Sequence, residues 1–285
     1  MVDTLSAALR ALSFVALFQA AGVAMFLALF GRLLSTTHDA VRRVGSLSAL
    51  IALGLLLAQY LLEAARMSGE VSGIMDPTLQ ALVLHSSTAT ALAWRLAGLA
   101  FILVSLRSDT VTSAVFSVTG GVLLITAFAL MGHTASHPQR WLTTLLLVAH
   151  LLVVAFWFGA LAPLHIASSR EAPMTAAMVI NAFSATALWI VPLLFAAGAT
   201  LCALLLPDLA SALRTTYGQL LIVKVAGFAI LMGLAALNKW RLGPAVASGD
   251  MRVAVAFRRS LKAEYLLIVG VLSVTAALTS FYSPD

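Results

Sequence analysis

Residues 141–164 read WLTTLLLVAHLLVVAFWFGALAPL, a run of 24 residues without aspartate, glutamate, lysine or arginine. A helix rises 1.5 Å per residue, so the run would be roughly 36 Å long, more than the ~30 Å hydrocarbon core of a bilayer. Its leucines, valines and alanines do not alternate with polar residues as in a barrel strand, which favours a helix. The stretch therefore predicts a membrane-spanning helix that contains one histidine, His150.

Seven other stretches have the same length and character. They are residues 8–31, 44–62, 86–106, 111–132, 180–206, 218–238 and 260–281. Of the 285 residues, 61% are hydrophobic and 10% are charged, whereas soluble domains carry about 25% charged residues. We therefore predict an all-α fold, a polytopic bundle of about eight transmembrane helices that forms a single domain over residues 1–285. Residues 77–90 also fit an interfacial helix that leads into the third span.

The 17 lysines and arginines are unevenly divided between alternate loops. The loops after the first, third, fifth and seventh spans contain eleven, the opposite side contains four, and Arg95 and Lys224 lie within spans. Cytoplasmic loops carry the excess of positive charge in membrane proteins, so we expect both termini in the periplasm. The net charge of +6 is then a signal of topology, and no nucleic-acid partner is expected.

Four of the six histidines map to the outer side of this topology or to the membrane just beneath it. His85 precedes the third span, and His133 and His137 lie four residues apart before the fifth, a spacing that shares one face of a helical turn. His150 lies roughly 14 Å deep in the fifth span. Imidazole binds borderline metals and is costly in lipid, so all four are candidate metal ligands. A solvated loop position for His137 and a packing hydrogen bond for His150 are the alternatives.

Four further side chains are candidates for supporting roles. Arg95 and Lys224 lie roughly 10 Å inside the membrane, where each either has a partner on a neighbouring helix or extends to the interface. Glu264 lies near the inner end of the eighth span, where a local ion pair is one interpretation. Trp157 follows His150 by seven residues and so lies on the same helical face.

Several short motifs, in this order, resemble the copper resistance protein D (CopD) family of bacterial inner-membrane proteins. They are Gly132-His133-Thr134-Ala135, His150 with Trp157-Phe158-Gly159-Ala160-Leu161 and Pro163, Tyr217-Gly218-Gln219-Leu220-Leu221 with Lys224, Ala236-Leu237-Asn238 with Arg241, and Arg259-Ser260-Leu261 with Glu264. The resemblance covers about residues 85–281, and the N-terminal spans fit by hydropathy alone.

The resemblance implies a multi-pass protein of the bacterial inner membrane that handles copper, as Cu(I) or Cu(II), and that is not an enzyme. It also implies a separate periplasmic copper-binding partner of the CopC type. Among the family's histidine and charged positions, those matched here are His133, His150, Lys224 and Glu264. The direction of transport and the oligomeric state stay open.

The residues themselves leave different classes of function open. In a copper transporter, His85, His133 and His137 would receive the ion on the outer side and His150 would pass it inward. In a membrane b-type cytochrome or quinone-linked electron carrier, His150 would ligate haem b together with His85 or His133. A subunit that only anchors a partner would bind no metal. A Soret band in the purified protein distinguishes the cytochrome from the other two.

Reporter fusions test the predicted orientation. A fusion at Ser283 should report the periplasm and a fusion at Gly249 the cytoplasm, because the Gly249 loop lies on the side with the basic excess. The activities of alkaline phosphatase and green fluorescent protein at the two positions are the measurement. The reverse pattern would place His133 and His137 in the cytoplasm and would contradict an outer metal site.

Overall fold

The computed structural model describes residues 2–131, 137–205 and 215–281, and these form helices joined by short connections. The helices are α1 (Val2–Phe30), α2 (His38–Ser68), α3 (Pro77–Leu84), α4 (Ser87–Ser105), α5 (Val111–Ala129), α6 (Arg140–Arg170), α7 (Pro173–Leu205), α8 (Thr216–Leu237) and α9 (Met251–Phe281). Eight of them, all except α3, are long and apolar enough to cross a membrane. The predicted all-α polytopic bundle is confirmed, since the described residues contain no strand.

Capping residues, rather than hydropathy, decide how residues 77–90 are divided. Pro77 occupies the first turn of α3, and the Asp76 carboxylate before it accepts hydrogen bonds from two backbone N–H groups of that turn. Ser86 caps α4 in the same way through the backbone N–H of Thr88. The segment is therefore a short separate helix that leads into the span, which was the second interpretation of the sequence.

The N-terminal helix α1 lies at the centre of the bundle. It packs against α2, α5, α6 and α9, and its middle is almost completely covered, with Leu17, Phe18 and Phe26 each no more than 1% exposed. The ring of Phe18 lies 5.6 Å from that of Phe128 in α5. This helix is therefore surrounded by protein, whereas most of the others keep one face towards lipid.

Helices α1 and α6 cross at two glycines. A Cβ on Gly22 would overlap the backbone of Ala155 and Gly159, and a Cβ on Gly159 would overlap the backbone of Gly22. In lipid, helix association depends on such close van der Waals packing, which small residues permit. The buried Gln19 Nε2 adds a hydrogen bond, 3.1 Å long, to the carbonyl oxygen of Gly159. The crossing holds α6 against the bundle centre.

A buttress of hydrogen bonds joins two loops at the arginine-rich end of the bundle. Glu171, between α6 and α7, accepts hydrogen bonds from the backbone N–H groups of residues 35–37 at 2.9–3.1 Å and from two hydroxyl groups of the same turn. Burial alone would raise the pKa of Glu171, but these hydrogen bonds lower it to about 2. The loops after the first and fifth spans are thereby held together.

Ion pairs occur at both ends of the bundle. Arg42 lies 3.0 Å from Asp109 at the arginine-rich end, and Arg66 lies 3.1 Å from Glu63 at the opposite end. Alternate loops therefore lie at opposite ends, as the topology requires. Which end faces the cytoplasm stays a prediction, and we refer to the arginine-rich end as the inner end.

The helix crossing generates a stability prediction. Gly22→Ala should destabilise the protein by more than the ~1–3 kcal/mol typical of overpacking, because its methyl group would meet backbone rather than a movable side chain. Gly54→Ala in α2 is the matched control, since no atom lies within 4 Å of a Cβ there. Thermal unfolding in detergent, followed by circular dichroism, measures both. Equal stability of the two variants would contradict a close crossing.

Candidate functional site

Polar side chains inside the bundle concentrate along one face of α6. His150 and Trp157 share this face and lie about 10 Å apart along the helix axis. Around them are two sets of residues from α7, α8 and α9. We call His150, Cys202, Tyr217 and Lys224 the outer group, and Trp157, Asn238 and Glu264 the inner group.

His150 is oriented by the backbone of α7. Its Nδ1 lies 3.2 Å from the carbonyl oxygen of Leu194, and because a carbonyl can only accept, Nδ1 carries the proton. The ring packs on Gly198, where a Cβ would lie 3.0 Å from the imidazole Cε1. This tautomer leaves a lone pair on Nε2, which is the form in which imidazole coordinates a metal.

Lys224 of α8 lies beside this histidine. Its charge is near enough to interact with both His150 and Cys202, and Cys202 in turn interacts with Tyr217. No carboxylate forms an ion pair with Lys224 in the part of the chain that the structure describes. The outer group therefore combines a nitrogen donor, a thiol, a phenol and a cation within the outer half of the bundle.

The inner group is built on a buried carboxylate. Glu264 is 2% exposed, and its two oxygens accept hydrogen bonds from Trp157 Nε1, at 3.3 Å, and from Asn238 Nδ2. Asn238 begins a π-helical turn, Asn238–Leu242, of the kind often found at functional sites. The interpretation of Glu264 as part of a local ion pair is therefore wrong, because its partners come from α6 and from the end of α8.

A cavity of about 240 Å³ adjoins the inner group. Trp157, Asn238 and Glu264 line it together with Lys239, whose Nζ lies 3.4 Å from the carbonyl oxygen of Ser184. The Oδ1 of Asn238 is buried and has no hydrogen-bond partner among the described residues. The cavity thus offers a carboxylate and a free amide oxygen to a small polar or cationic occupant.

The other candidate histidines that the structure describes, His85 and His137, make no contact with His150. His85 ends α3 with an exposed side chain, and α3 packs against α2 and α4. His137 lies before α6, where its Nδ1 accepts a hydrogen bond of 3.1 Å from a backbone N–H, and His133 lies outside the described residues. No group of three or more histidine, cysteine, aspartate and glutamate side chains that could hold a metal occurs in the described ranges. Of the two partners considered for His150 in a haem site, His85 shows no contact with it and His133 is not described, so the haem alternative gains no support from the structure.

Arg95 also lies away from the outer group. Its guanidinium carbon is 4.6 Å from the ring centroid of Phe128, and the nearby charge is that of Arg10 in α1. Cation–π contact with a neighbouring helix therefore accommodates Arg95, and the structure gives it no contact with His150.

Three members of the groups were not candidates from the sequence: Cys202, Asn238 and Tyr217, the last of which stood only within a motif. Leu194 and Gly198 of α7 both contact His150. Cys202 lies four residues after Gly198 and eight after Leu194, so it is on the same face of α7. Asn238 stood within a quoted motif, but its role depends on the π-helical turn. The helical spacing could have indicated Cys202, whereas nothing local distinguishes Asn238.

Two family models match the chain. The one described as copper resistance protein D-like, N-terminal domain, matches residues 1–140, and the one described as copper resistance protein D matches residues 177–278. The likeness therefore includes the N-terminal spans, which the sequence related to the family by hydropathy alone. His150 and Trp157 lie between the two matched segments.

Curated relatives agree with these models. Copper resistance protein D of Pseudomonas syringae pv. tomato is 29% identical over 100% of this chain and 98% of its own length. Copper transport protein CutJ of Bacillus subtilis (strain 168) is 29% identical over 58% of this chain, a match that covers 29% of that relative. No solved structure matches the chain. With its eight membrane-spanning helices and both segments of the family matched, the chain is a multi-pass membrane protein that belongs to the copper resistance protein D family.

Proposed function

We propose that this protein transports copper across the membrane and that His150 binds the ion on its way. The observation that carries the proposal is the succession of two groups of polar and ionisable side chains, outer and inner, along one face of α6. Ionisable residues within membrane spans commonly mark ion pathways. The family and both relatives are named for copper resistance or copper transport, which supports copper as the ion and transport, rather than catalysis, as the role.

The chemistry of His150 supports a transient copper site. Its Nδ1–H donates to the Leu194 carbonyl and so leaves the Nε2 lone pair for a metal ion. Imidazole nitrogen binds Cu(II), and a thiol such as that of Cys202 suits Cu(I). The neighbouring Lys224 repels a cation, which prevents the ion from resting there. Conduction requires binding that is weak enough for release.

The inner group would receive the ion after His150. Glu264 supplies negative charge in the inner half of the bundle, and the free Oδ1 of Asn238 supplies a second oxygen. The adjoining cavity of about 240 Å³ provides room for an ion with part of its hydration shell. Inward movement would thus lead from a nitrogen donor to oxygen donors along α6.

Copper must first be captured on the outer side, away from the outer and inner groups. His133, His137 and His85 would receive copper there, before the ion reaches His150. A separate periplasmic copper-binding protein of the CopC type would deliver it, as the family resemblance suggests. The position of His137 directly before α6 supports this order, because that helix leads from the outer surface to His150.

Replacement of His150 tests the ligand role. His150→Asn should reduce the initial rate of copper uptake into proteoliposomes more than roughly tenfold, because losing a nitrogen ligand should cost at least the 1.4 kcal/mol that corresponds to a factor of ten. The amide can still donate to the Leu194 carbonyl, so the amount of folded protein should be unchanged. His38→Asn is the control, since His38 pairs with Asp109 at the inner end.

Full copper uptake by His150→Asn would end the ligand hypothesis. An absorption spectrum of the same preparations separates the cytochrome alternative. A Soret band that disappears in His150→Asn would show that the histidine binds haem rather than passing copper.

Glu264 should be required for its charge. Glu264→Gln keeps the size of the side chain and one oxygen acceptor but removes the negative charge, so copper uptake should fall. Its amide NH2 meets one of the two N–H donors, so thermal stability should fall too, but by less than in the leucine variant. Glu264→Leu should also lower stability by about 1–3 kcal/mol, because the N–H groups of Trp157 and Asn238 lose their acceptors. Glu63→Gln, at the outer ion pair, is the control. Unchanged uptake by Glu264→Gln would leave Glu264 a purely structural role.

A further inference from the structure

A second cavity, of about 440 Å³, lies at the inner end of the bundle. It is bounded by the end of α6, the start of α7, the connection before α9 and the first turns of α9. Arg258, Arg259, Lys262 and His165 are among the side chains that line it. We call it the basic cavity. Its residues are separate from the outer and inner groups.

The cations of the basic cavity are not neutralised by ion pairs. Arg258 and Lys262 lie one turn apart on α9, and Arg259 follows directly. The Arg258 Nη1 donates a hydrogen bond of 2.9 Å to the carbonyl oxygen of Ser168 on α6, which fixes one guanidinium across the gap between the two helices. In the described part of the chain, none of the three forms an ion pair with a carboxylate. The positive charge is therefore available to a ligand.

One carboxylate, that of Glu171, also lines the cavity. Its oxygens already accept five hydrogen bonds from residues 35–37, and with its pKa at about 2 it stays ionised without help from the cations. Three cations and one carboxylate leave the lining side chains with a net charge of +2 when His165 is neutral. The cavity is therefore a concave surface with an excess of positive charge.

His165 also lines this cavity. The backbone of Arg258 lies near the ring. The Nδ1 of His165 is shielded from solvent and has no hydrogen-bond partner among the described residues. Such an atom calls for a ligand or a bound water, because a buried polar group without a partner is costly.

We propose that the basic cavity binds a phosphate group, and that in the membrane this is the phosphate of an anionic phospholipid headgroup. Guanidinium groups match phosphate oxygens in charge and in geometry, and Lys262 adds a further donor. Met251, Val255 and Pro173 form an apolar part of the wall, which suits the glycerol and first acyl carbons of a lipid. Basic pockets at the inner ends of membrane spans are suited to such headgroups.

The charge bias between loops does not by itself explain this arrangement. Positive residues that only set the topology need no cavity. Arg241, in the connection before α9, and Arg252, in the first turn of α9, are exposed basic residues that do not line it. These two residues supply a matched control, because their loss removes the same charge from the same end of the protein. The proposal is independent of copper transport.

Lipid retention in native mass spectrometry of the full-length protein tests the proposal. The double variant Arg259→Gln/Lys262→Gln should retain phosphatidylglycerol at least roughly tenfold less well than the unaltered protein, because each cation contributes to attraction of anionic lipid. The control double variant Arg241→Gln/Arg252→Gln should retain it as the unaltered protein does. Charge-conserving Arg259→Lys/Lys262→Arg should also retain it, which separates loss of charge from misfolding.

Thermal unfolding in micelles distinguishes the sources of phosphate. Phosphatidylglycerol should raise the unfolding midpoint of the unaltered protein, whereas phosphatidylcholine and inorganic phosphate should not. Stabilisation by inorganic phosphate that depends on Arg259 and Lys262 would support the anion site but overturn the lipid as its source. Equal loss of phosphatidylglycerol from both double variants, or no preference for it at all, would overturn the site.

Discussion

The close crossing of α1 and α6 at Gly22 and Gly159 is the contact on which the rest of the structure depends. Without water to drive apolar surfaces together, two helices in lipid are held by the fit of their backbones. Since neither glycine leaves room for a Cβ, the crossing point and the rotation of α6 are both determined. Trp157 lies two residues from the crossing and His150 nine. Their directions towards α9 and α7 follow from it.

Polar atoms inside this bundle are mostly satisfied, and the exceptions are informative. Glu264 has a donor on each oxygen, and His150 has the Leu194 carbonyl. A buried polar atom that lacks a partner costs more free energy than a formed hydrogen bond contributes. Asn238, whose Oδ1 has no partner among the described residues, lines one cavity, and His165, whose Nδ1 has none, lines the other. Each cavity is thus lined by a residue with unused hydrogen-bonding capacity.

Hydropathy was enough to predict the eight spans, and it left open a separate helix within residues 77–90 that the capping residues explain. Hydropathy was not enough to predict neighbours, because depth along a helix says nothing about rotation around its axis. Arg95 is as deep as expected but faces Phe128. The partners of Glu264 are 107 and 26 residues away in sequence and meet only through the packing of α6, α8 and α9. A local sequence pattern cannot predict contacts between residues so far apart in the sequence.

The inner group also holds three helices together along the proposed path. Its two hydrogen bonds join α9 to α6 and to the end of α8, so an ion that binds Glu264 must compete with the contacts that hold these helices together. A cation bound to the Glu264 carboxylate would take the place of the N–H groups of Trp157 and Asn238. Binding can therefore weaken the helix contacts while satisfying the carboxylate. The π-helical turn at Asn238 is suited to this step, because its backbone is less tightly wound than the α-helix before it.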